Sequence, residues 1–318
     1  MLIDVLLLLL AFLIIWLSTD YAMDAIEKLS HHHRLSRFTF SLFVIGLTTS
    51  FPELAVTINS VILNSPQIAL GSLIGSQIYL LFLVIPILAI MSQGLRLHSQ
   101  MRDHSLIMTL LVATFPILML LDQSLSFLEV LIIIGSYVVF VMLFFRHTFL
   151  ERILVRLQLP ENISPSWEVV KLLGASAILM LAAHTAVREL IEISSVLNTP
   201  RFLLSLLILP IATNLPELSF ALRSVTSPRK NYALGDYMGA IIFNSLLIGI
   251  LALVSGGSIS IGQNISYVVI AFVIGMVVFW WCCFSRELLN IREGLLLFLV
   301  YLTLLGLATW QIMSGIFN

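Results

Sequence analysis

Apolar runs separated by short polar breaks fill the chain from end to end. A helix needs about 20 residues to cross a hydrocarbon core of roughly 30 Å. At that window the pattern predicts ten spans, near residues 2–27, 38–62, 66–91, 104–121, 124–145, 168–192, 201–224, 232–255, 265–284 and 292–314. The first run, Leu2 to Leu17, could pass for a secretion signal. It lacks a basic stretch before it, carries Asp4 and shows no small-x-small pattern before Asp20, so it reads as the first span. The longest linker, 147–166, holds Arg152, Arg156, Pro160, Glu161 and Pro165 and lies halfway along the chain. It separates residues 1–146 from residues 167–318, and its position implies a cytoplasmic connection.

Composition agrees with a membrane setting. Of 318 residues, 59% are hydrophobic and 10% charged, against about 25% charged in an ordinary soluble domain. The net charge of −1 excludes a large basic surface for nucleic acid. Cys282 and Cys283 are adjacent and have no separated partner, so neither a disulfide framework nor a thiolate metal site is expected. When the loops are numbered alternately, 14 of the 16 Lys and Arg residues fall on one side or at the span ends facing it; Arg188 and Arg201 fall on the other. The basic side is expected to be cytoplasmic, with both termini outside the cell membrane.

Polar positions also repeat. An offset of 164 pairs Thr49 with Thr213, Pro52 with Pro216, Glu53 with Glu217, Gly71 with Gly235 and Gly75 with Gly239, and also Arg37 with Arg201 and Ser41 with Ser205. No gap is needed over about forty residues. Five spans per half is an odd number, so the second half enters the membrane upside down. The expected fold is an all-α polytopic membrane protein of ten transmembrane helices in two inverted five-helix repeats, an architecture whose sites lie at the midplane. Glu53 and Glu217 should face each other there.

The repeated segments carry the chemistry. A carboxylate inside a span costs several kcal/mol unless it meets charge or water. Proline has no N–H, so Pro52 leaves the carbonyl of Thr48, and Pro216 that of Ala212, without its helical partner. Thr48, Thr49, Ser50 and Thr213 add hydroxyls, and Asn214 an amide. Such an oxygen-rich shell suits hard cations such as Ca2+ and Na+; the imidazole and thiolate that would signal zinc or copper are missing from the motif. One span later, Ser72, Ser76 and Leu80 share a helix face, as do Asp236, Ala240 and Asn244. The glycines beside them allow close helix contact. Ser72 and Gln77 can be read as helix glue; an acid such as Asp236 is harder to explain that way.

The pair Thr-Thr-Ser-Phe-Pro-Glu and Ala-Thr-Asn-Leu-Pro-Glu, each followed eighteen residues later by Gly-x-x-x-Gly, resembles the two alpha-repeats of the calcium/cation antiporter superfamily, in particular its sodium/calcium exchanger branch. The resemblance implies that Thr49, Ser50, Glu53, Thr213, Asn214 and Glu217 ligate the ion, joined from the later segments by Ser76 and Asn244. Leu80 and Ala240 stand where the family pattern has ligands. Gln77 and Asp236, one turn earlier, are the candidates to compensate. The implied activity is antiport of Ca2+ against Na+ or H+, with inorganic cations and the bilayer as partners, no cofactor and no enzymatic reaction. Two other classes compete: an ion-binding sensor or scaffold that moves nothing, motivated by Leu80 and Ala240, and an intramembrane aspartyl protease, motivated by Gly235-Asp236. The protease reading lacks a second well-placed Asp and leaves the Pro-Glu duplication unexplained. His31, His32 and His33 read as solvated linker residues, and His184, at the repeat position of Asp20, as a helix–helix hydrogen bond in preference to a proton relay. Tyr267, Trp280, Trp281 and Trp310 lie near span ends and read as interfacial anchors.

Overall fold

The structure, a computed structural model, describes residues 1–30, 49–96, 104–145, 165–225, 230–262, 265–285 and 288–317. These fold into helices α1 (Leu2–Ser30), α2 (Phe51–Ile62), α3 (Pro66–Met91), α4 (His104–Leu118), α5 (Phe127–Phe145), α6 (Pro165–Val196), α7 (Arg201–Thr213), α8 (Leu215–Ser224), α9 (Lys230–Val254), α10 (Ser266–Ser285) and α11 (Ile291–Phe317). Four two-residue strands, β1 (Leu95–Arg96), β2 (Ser124–Leu125), β3 (Ile259–Ser260) and β4 (Leu288–Leu289), lie between them. The expected 147–166 linker falls almost wholly outside the described residues, as do His31 to His33.

Six helices among the described residues are long and apolar enough to cross a bilayer, and four apolar helices are shorter. Among the described residues the expected ten-span layout corresponds to these six long and four shorter apolar helices. The segment expected as one span over 201–224 is two helices, α7 and α8, interrupted at Asn214, and α2 starts at Phe51 with Ser50 as its N-cap. Proline near the start of each second piece favours a new helix over continuation of the old one.

The 164-residue repeat extends beyond the polar motif. β1 and β3 are 164 residues apart, and so are β2 and β4. The pairing is crossed: β1 pairs antiparallel with β4 (Leu95 opposite Leu289) and β2 with β3 (Ser124 opposite Ser260). Each small ladder therefore joins the first strand of one half to the second strand of the other. Two equivalent positions, Gln93 and Gly257, also share a positive φ, 57° and 83°.

Burial divides the helices by role. α3 is buried over 83% of its apolar window, whereas α11 is buried over 17%, which sets α3 inside and α11 against the surroundings. The outward faces of α1 and α6 carry Leu6, Leu9, Leu10, Leu173 and Leu181, suitable for lipid and unsuitable for water. α1 packs along α6, with Ala11, Ala182, Ala183 and Ala186 buried in the cluster these helices form with α2 and α7. A second and larger core joins α3, α4, α5, α9, α10 and α11. Tyr267 and Trp310 are both about half exposed and meet edge to face at 6.0 Å, as expected of anchors at one membrane face. Both cysteines are buried.

The two cores meet where α3 crosses α7. A Cβ on Gly71 would fall onto Ser205 and the Phe202 carbonyl, and one on Gly75 onto the Leu206 carbonyl and the Pro210 ring. Gly75→Leu is therefore expected to lower the thermal unfolding midpoint in detergent, by overpacking worth about 1–3 kcal/mol or more; an unchanged midpoint would contradict this crossing. The ladders give a second check. Antiparallel partners lie roughly 4.5–5.5 Å apart at Cα, within disulfide range. In a background with Cys282 and Cys283 replaced, Leu95→Cys with Leu289→Cys, and Ser124→Cys with Ser260→Cys, should cross-link on mild oxidation, while Leu95→Cys with Ser260→Cys should not.

Candidate functional site

Each Pro-Glu motif opens a helix. Pro52 and Glu53 occupy the first turn of α2, and Pro216 and Glu217 the first turn of α8. Proline is tolerated there because first-turn N–H groups have no partner inside the helix. The same unpartnered N–H groups make a helix N-terminus partly positive, which favours a carboxylate in that turn. The sequence reading treated the prolines as the loss of one hydrogen bond within a span; in the fold they mark complete breaks, at Ser50 and at Asn214.

All ten residues singled out as ligands are buried, none more than 2% exposed: Thr49, Ser50, Glu53, Ser76, Gln77, Thr213, Asn214, Glu217, Asp236 and Asn244. Seven of them fall into two groups, and Gln77 bonds apart from both. In the first, the Ser76 hydroxyl donates to Glu53 Oε1 at 3.2 Å and lies 3.3 Å from the Thr213 hydroxyl. The Asn214 side-chain N–H group lies 2.9 Å from Ser76 Oγ, 3.1 Å from Thr213 Oγ1 and 2.9 Å from the Pro210 carbonyl. That last bond ties the end of α7 back onto itself. In the second, the Thr49 hydroxyl donates to Asp236 Oδ1 at 3.3 Å and also reaches Glu217, which lies close enough to feel the charges of both Glu53 and Asp236. Gln77 donates to Ser245 at 3.0 Å and to the Ile241 carbonyl at 3.4 Å. Ile241 is the repeat equivalent of Gln77, so α3 and α9 cross at matching positions.

The two groups are not mirror images. Ser76 serves Glu53, but its repeat equivalent is Ala240, which has no hydroxyl to offer Glu217. Leu80, equivalent to Asn244, begins a π-helical turn, Leu80–Val84, that α9 lacks; such turns recur at functional positions. Asn244 is fully buried and neither amide atom has a hydrogen-bond partner. One oxygen of each acid, Glu53 Oε2, Glu217 Oε2 and Asp236 Oδ2, is also buried without a partner, as are Asn214 Oδ1, Gln77 Oε1 and Ser72 Oγ. Unpaired oxygens this deep are costly in an apolar medium, and a bound cation is what this donor set would satisfy. Among the described residues no three Asp, Glu, His or Cys side chains form a metal cluster; the acids are interleaved with hydroxyls and amides.

Two buried contacts escaped the sequence reading. The Tyr237 hydroxyl donates to the Glu217 carbonyl at 3.2 Å, and the Thr57 hydroxyl to the Glu53 carbonyl at 2.7 Å. Each pins the backbone of a key acid. Tyr237 carries a legible signal, since a tyrosine inside a span needs a partner for its hydroxyl. His184 Nδ1 lies 3.1 Å from Asn59 Oδ1, and Asn59 donates to the Met180 carbonyl at 3.1 Å, giving the helix–helix bond expected of His184.

With this geometry in view, the family model described as sodium/calcium exchanger protein matches the chain twice, over residues 3–146 and 167–310. The two matches are 164 residues apart. The chain belongs to the sodium/calcium exchanger protein family. A protein of Alkalimonas amylolytica that carries the antiporter name CaxA is 26% identical over 301 residues, covering 91% of this chain and 93% of that protein. Inner membrane protein YrbG of Escherichia coli strain K12 is 26% identical over 270 residues, 81% of this chain and 82% of that one. Among solved structures, the H+/Ca2+ exchanger CAX superposes with a TM-score of 0.73 at 17% identity, over 98% of this chain and 86% of its own. The sodium-calcium exchanger NCX_Mj gives 0.66 at 19% identity, over 96% and 98%. The exchanger fold is thus shared, and with it the membrane setting of the family.

Ser76 joins Glu53, Thr213 and Asn214, so its loss strips partners from three buried groups at once. Ser76→Ala is expected to destabilise the protein by about 1–3 kcal/mol, read as a lower unfolding midpoint; Ser76→Thr, which keeps the hydroxyl, should recover part of it.

Proposed function

We propose that the chain is a secondary antiporter that moves Ca2+ in exchange for Na+ or H+, by alternating access at a midplane site built on Glu53 and Glu217. The observation that carries this reading is the pair of buried glutamates in the first turns of α2 and α8, each with one oxygen lacking a partner. Two carboxylates balance one divalent cation. Thr49, Ser50, Thr213, Asn214, Ser76, Asn244, Gln77 and Asp236 supply the remaining oxygen donors, enough for the six to eight that Ca2+ takes. Because the same carboxylates would hold either Ca2+ or the counter-ion, the two compete and exchange becomes obligatory.

The crossed ladders and the 164-residue offset support two inverted repeats, residues 1–146 and 167–318, which in the full proposal comprise ten transmembrane segments. In such a fold one half can rock against the other around a fixed site. The basic-residue bias supports both termini outside, and the name of the Escherichia coli relative supports a place in the inner membrane. The names of the other relatives, an antiporter, an H+/Ca2+ exchanger and a sodium-calcium exchanger, support cation exchange while leaving the counter-ion between Na+ and H+.

A second reading, ion binding without transport, is motivated by Leu80 and Ala240, which remove two oxygen donors from the family pattern. Proteoliposomes with Na+ and pH gradients set independently separate the two. Antiport predicts 45Ca2+ flux driven by one of these gradients and reduced at least about tenfold by Glu53→Gln or Glu217→Gln, since each leaves a divalent ion one charge short in a buried site. Saturable 45Ca2+ binding with no flux under either gradient would favour the second reading, and flux untouched by both substitutions would refute the site.

A further inference from the structure

We propose that the cavity between α3, α7 and α11 is a binding site for a small neutral amphipath, a hydrocarbon bearing one hydroxyl, that enters sideways from the bilayer. The cavity encloses about 320 Å3, at the lower end of the range for ligand pockets. Gly75, Ile78 and Tyr79 of α3 form one wall, Pro210 and two leucines of α7 another, and Tyr301, Leu304 and Leu305 of α11 the third. None of the ten candidate ion ligands lines it. α11 is buried over 17% of its apolar window, and Leu305 is 38% exposed. The mouth therefore opens onto the face that meets lipid.

The lining selects the occupant. Among the described residues it carries no charged side chain, and its side-chain polar atoms are the hydroxyls of Tyr79 and Tyr301. An ion would lose its hydration there without replacement. The occupant is therefore neutral and largely apolar, and such molecules concentrate in the bilayer.

The independent sign of a ligand is Tyr79. It is 5% exposed, and what remains accessible opens on this cavity. Tyr301 meets it edge to face at 6.3 Å, a contact between rings, and among the described residues the Tyr79 hydroxyl has no hydrogen-bond partner. A buried tyrosine ordinarily finds one. On the facing wall, Pro210 has no N–H to give the Leu206 carbonyl, and that carbonyl lies against the bare Gly75 position. A ligand hydroxyl matches both groups: it accepts from Tyr79 and donates to Leu206. Gly75 precedes Ser76, and the Pro210 carbonyl accepts from Asn214, so the cavity and the candidate ion site share the α3–α7 crossing.

The test photolabels the full-length protein in nanodiscs with a diazirine analogue of 1-octanol and maps the adducts by peptide mass spectrometry. Ile78 and Leu304, 4% and 2% exposed, lie out of reach of bulk lipid, whereas Leu299 and Leu302 on α11 face it. Adducts at Ile78 and Leu304 should saturate and be displaced by excess 1-octanol, but not by n-octane at the same bilayer concentration. Tyr79→Phe should weaken this labelling about fivefold, as expected for the loss of one hydrogen bond, and Leu305→Trp should block the mouth and abolish it. Labelling at Leu299 and Leu302 should not saturate and should be alike in all three proteins. Absence of saturable adducts at Ile78 and Leu304 would overturn the site. So would wild-type labelling in Tyr79→Phe, which would leave the hydroxyl without a role, or equal displacement by n-octane, which would mark a plain hydrocarbon cavity filled by lipid chains.

Discussion

A carboxylate buried at membrane depth is unstable unless its surroundings are arranged for it, and the organisation around Glu53 and Glu217 follows from that constraint. Helix breaks at Ser50 and Asn214 place each glutamate in the first turn of a new helix, where unpartnered N–H groups offset part of the burial cost. Hydroxyls from the opposite half, Thr213 toward Glu53 and Thr49 toward Glu217, supply further polar contacts. The candidate site therefore draws residues from both matched segments of the chain.

That sharing explains why small residues gather at the crossings. α3 can reach the α7 break only because Gly71 and Gly75 carry no side chain where the α7 backbone passes. Ser76, one residue beyond Gly75, is thereby brought against Thr213 and Asn214 at the end of α7. At either end of the core a two-residue ladder links one half to the other, so the halves are fastened beyond the site as well as at it.

The departure from symmetry has chemical content. A two-fold site would treat both glutamates alike, yet Ser76 bonds Glu53 while Ala240 leaves Glu217 without that bond, and Asp236 adds a carboxylate on α9 where α3 has Ser72. The π-helical turn beginning at Leu80 is likewise confined to one half. The scaffolds match, and substitution on them surrounds the two glutamates with different polar side chains.

The sequence alone determined the membrane class, the 164-residue duplication, the two acids and their burial, because apolar runs, repeated prolines and intramembrane charges are local signals that survive without a fold. It also singled out the hydroxyl and amide residues that border the acids. Three things were decided only in the tertiary structure. Pro52 and Pro216 became full helix breaks, since a missing N–H permits either a kink or a new helix and the surrounding packing selects between them. The stretch expected as one span over 201–224 divided into α7 and α8 for the same reason. The assignment of partners, with Ser76 to Glu53 and Thr49 to Asp236, arises between residues 23 and 187 positions apart. Periodicity reports which face of a helix a residue occupies, and the partner it meets depends on how the helices cross.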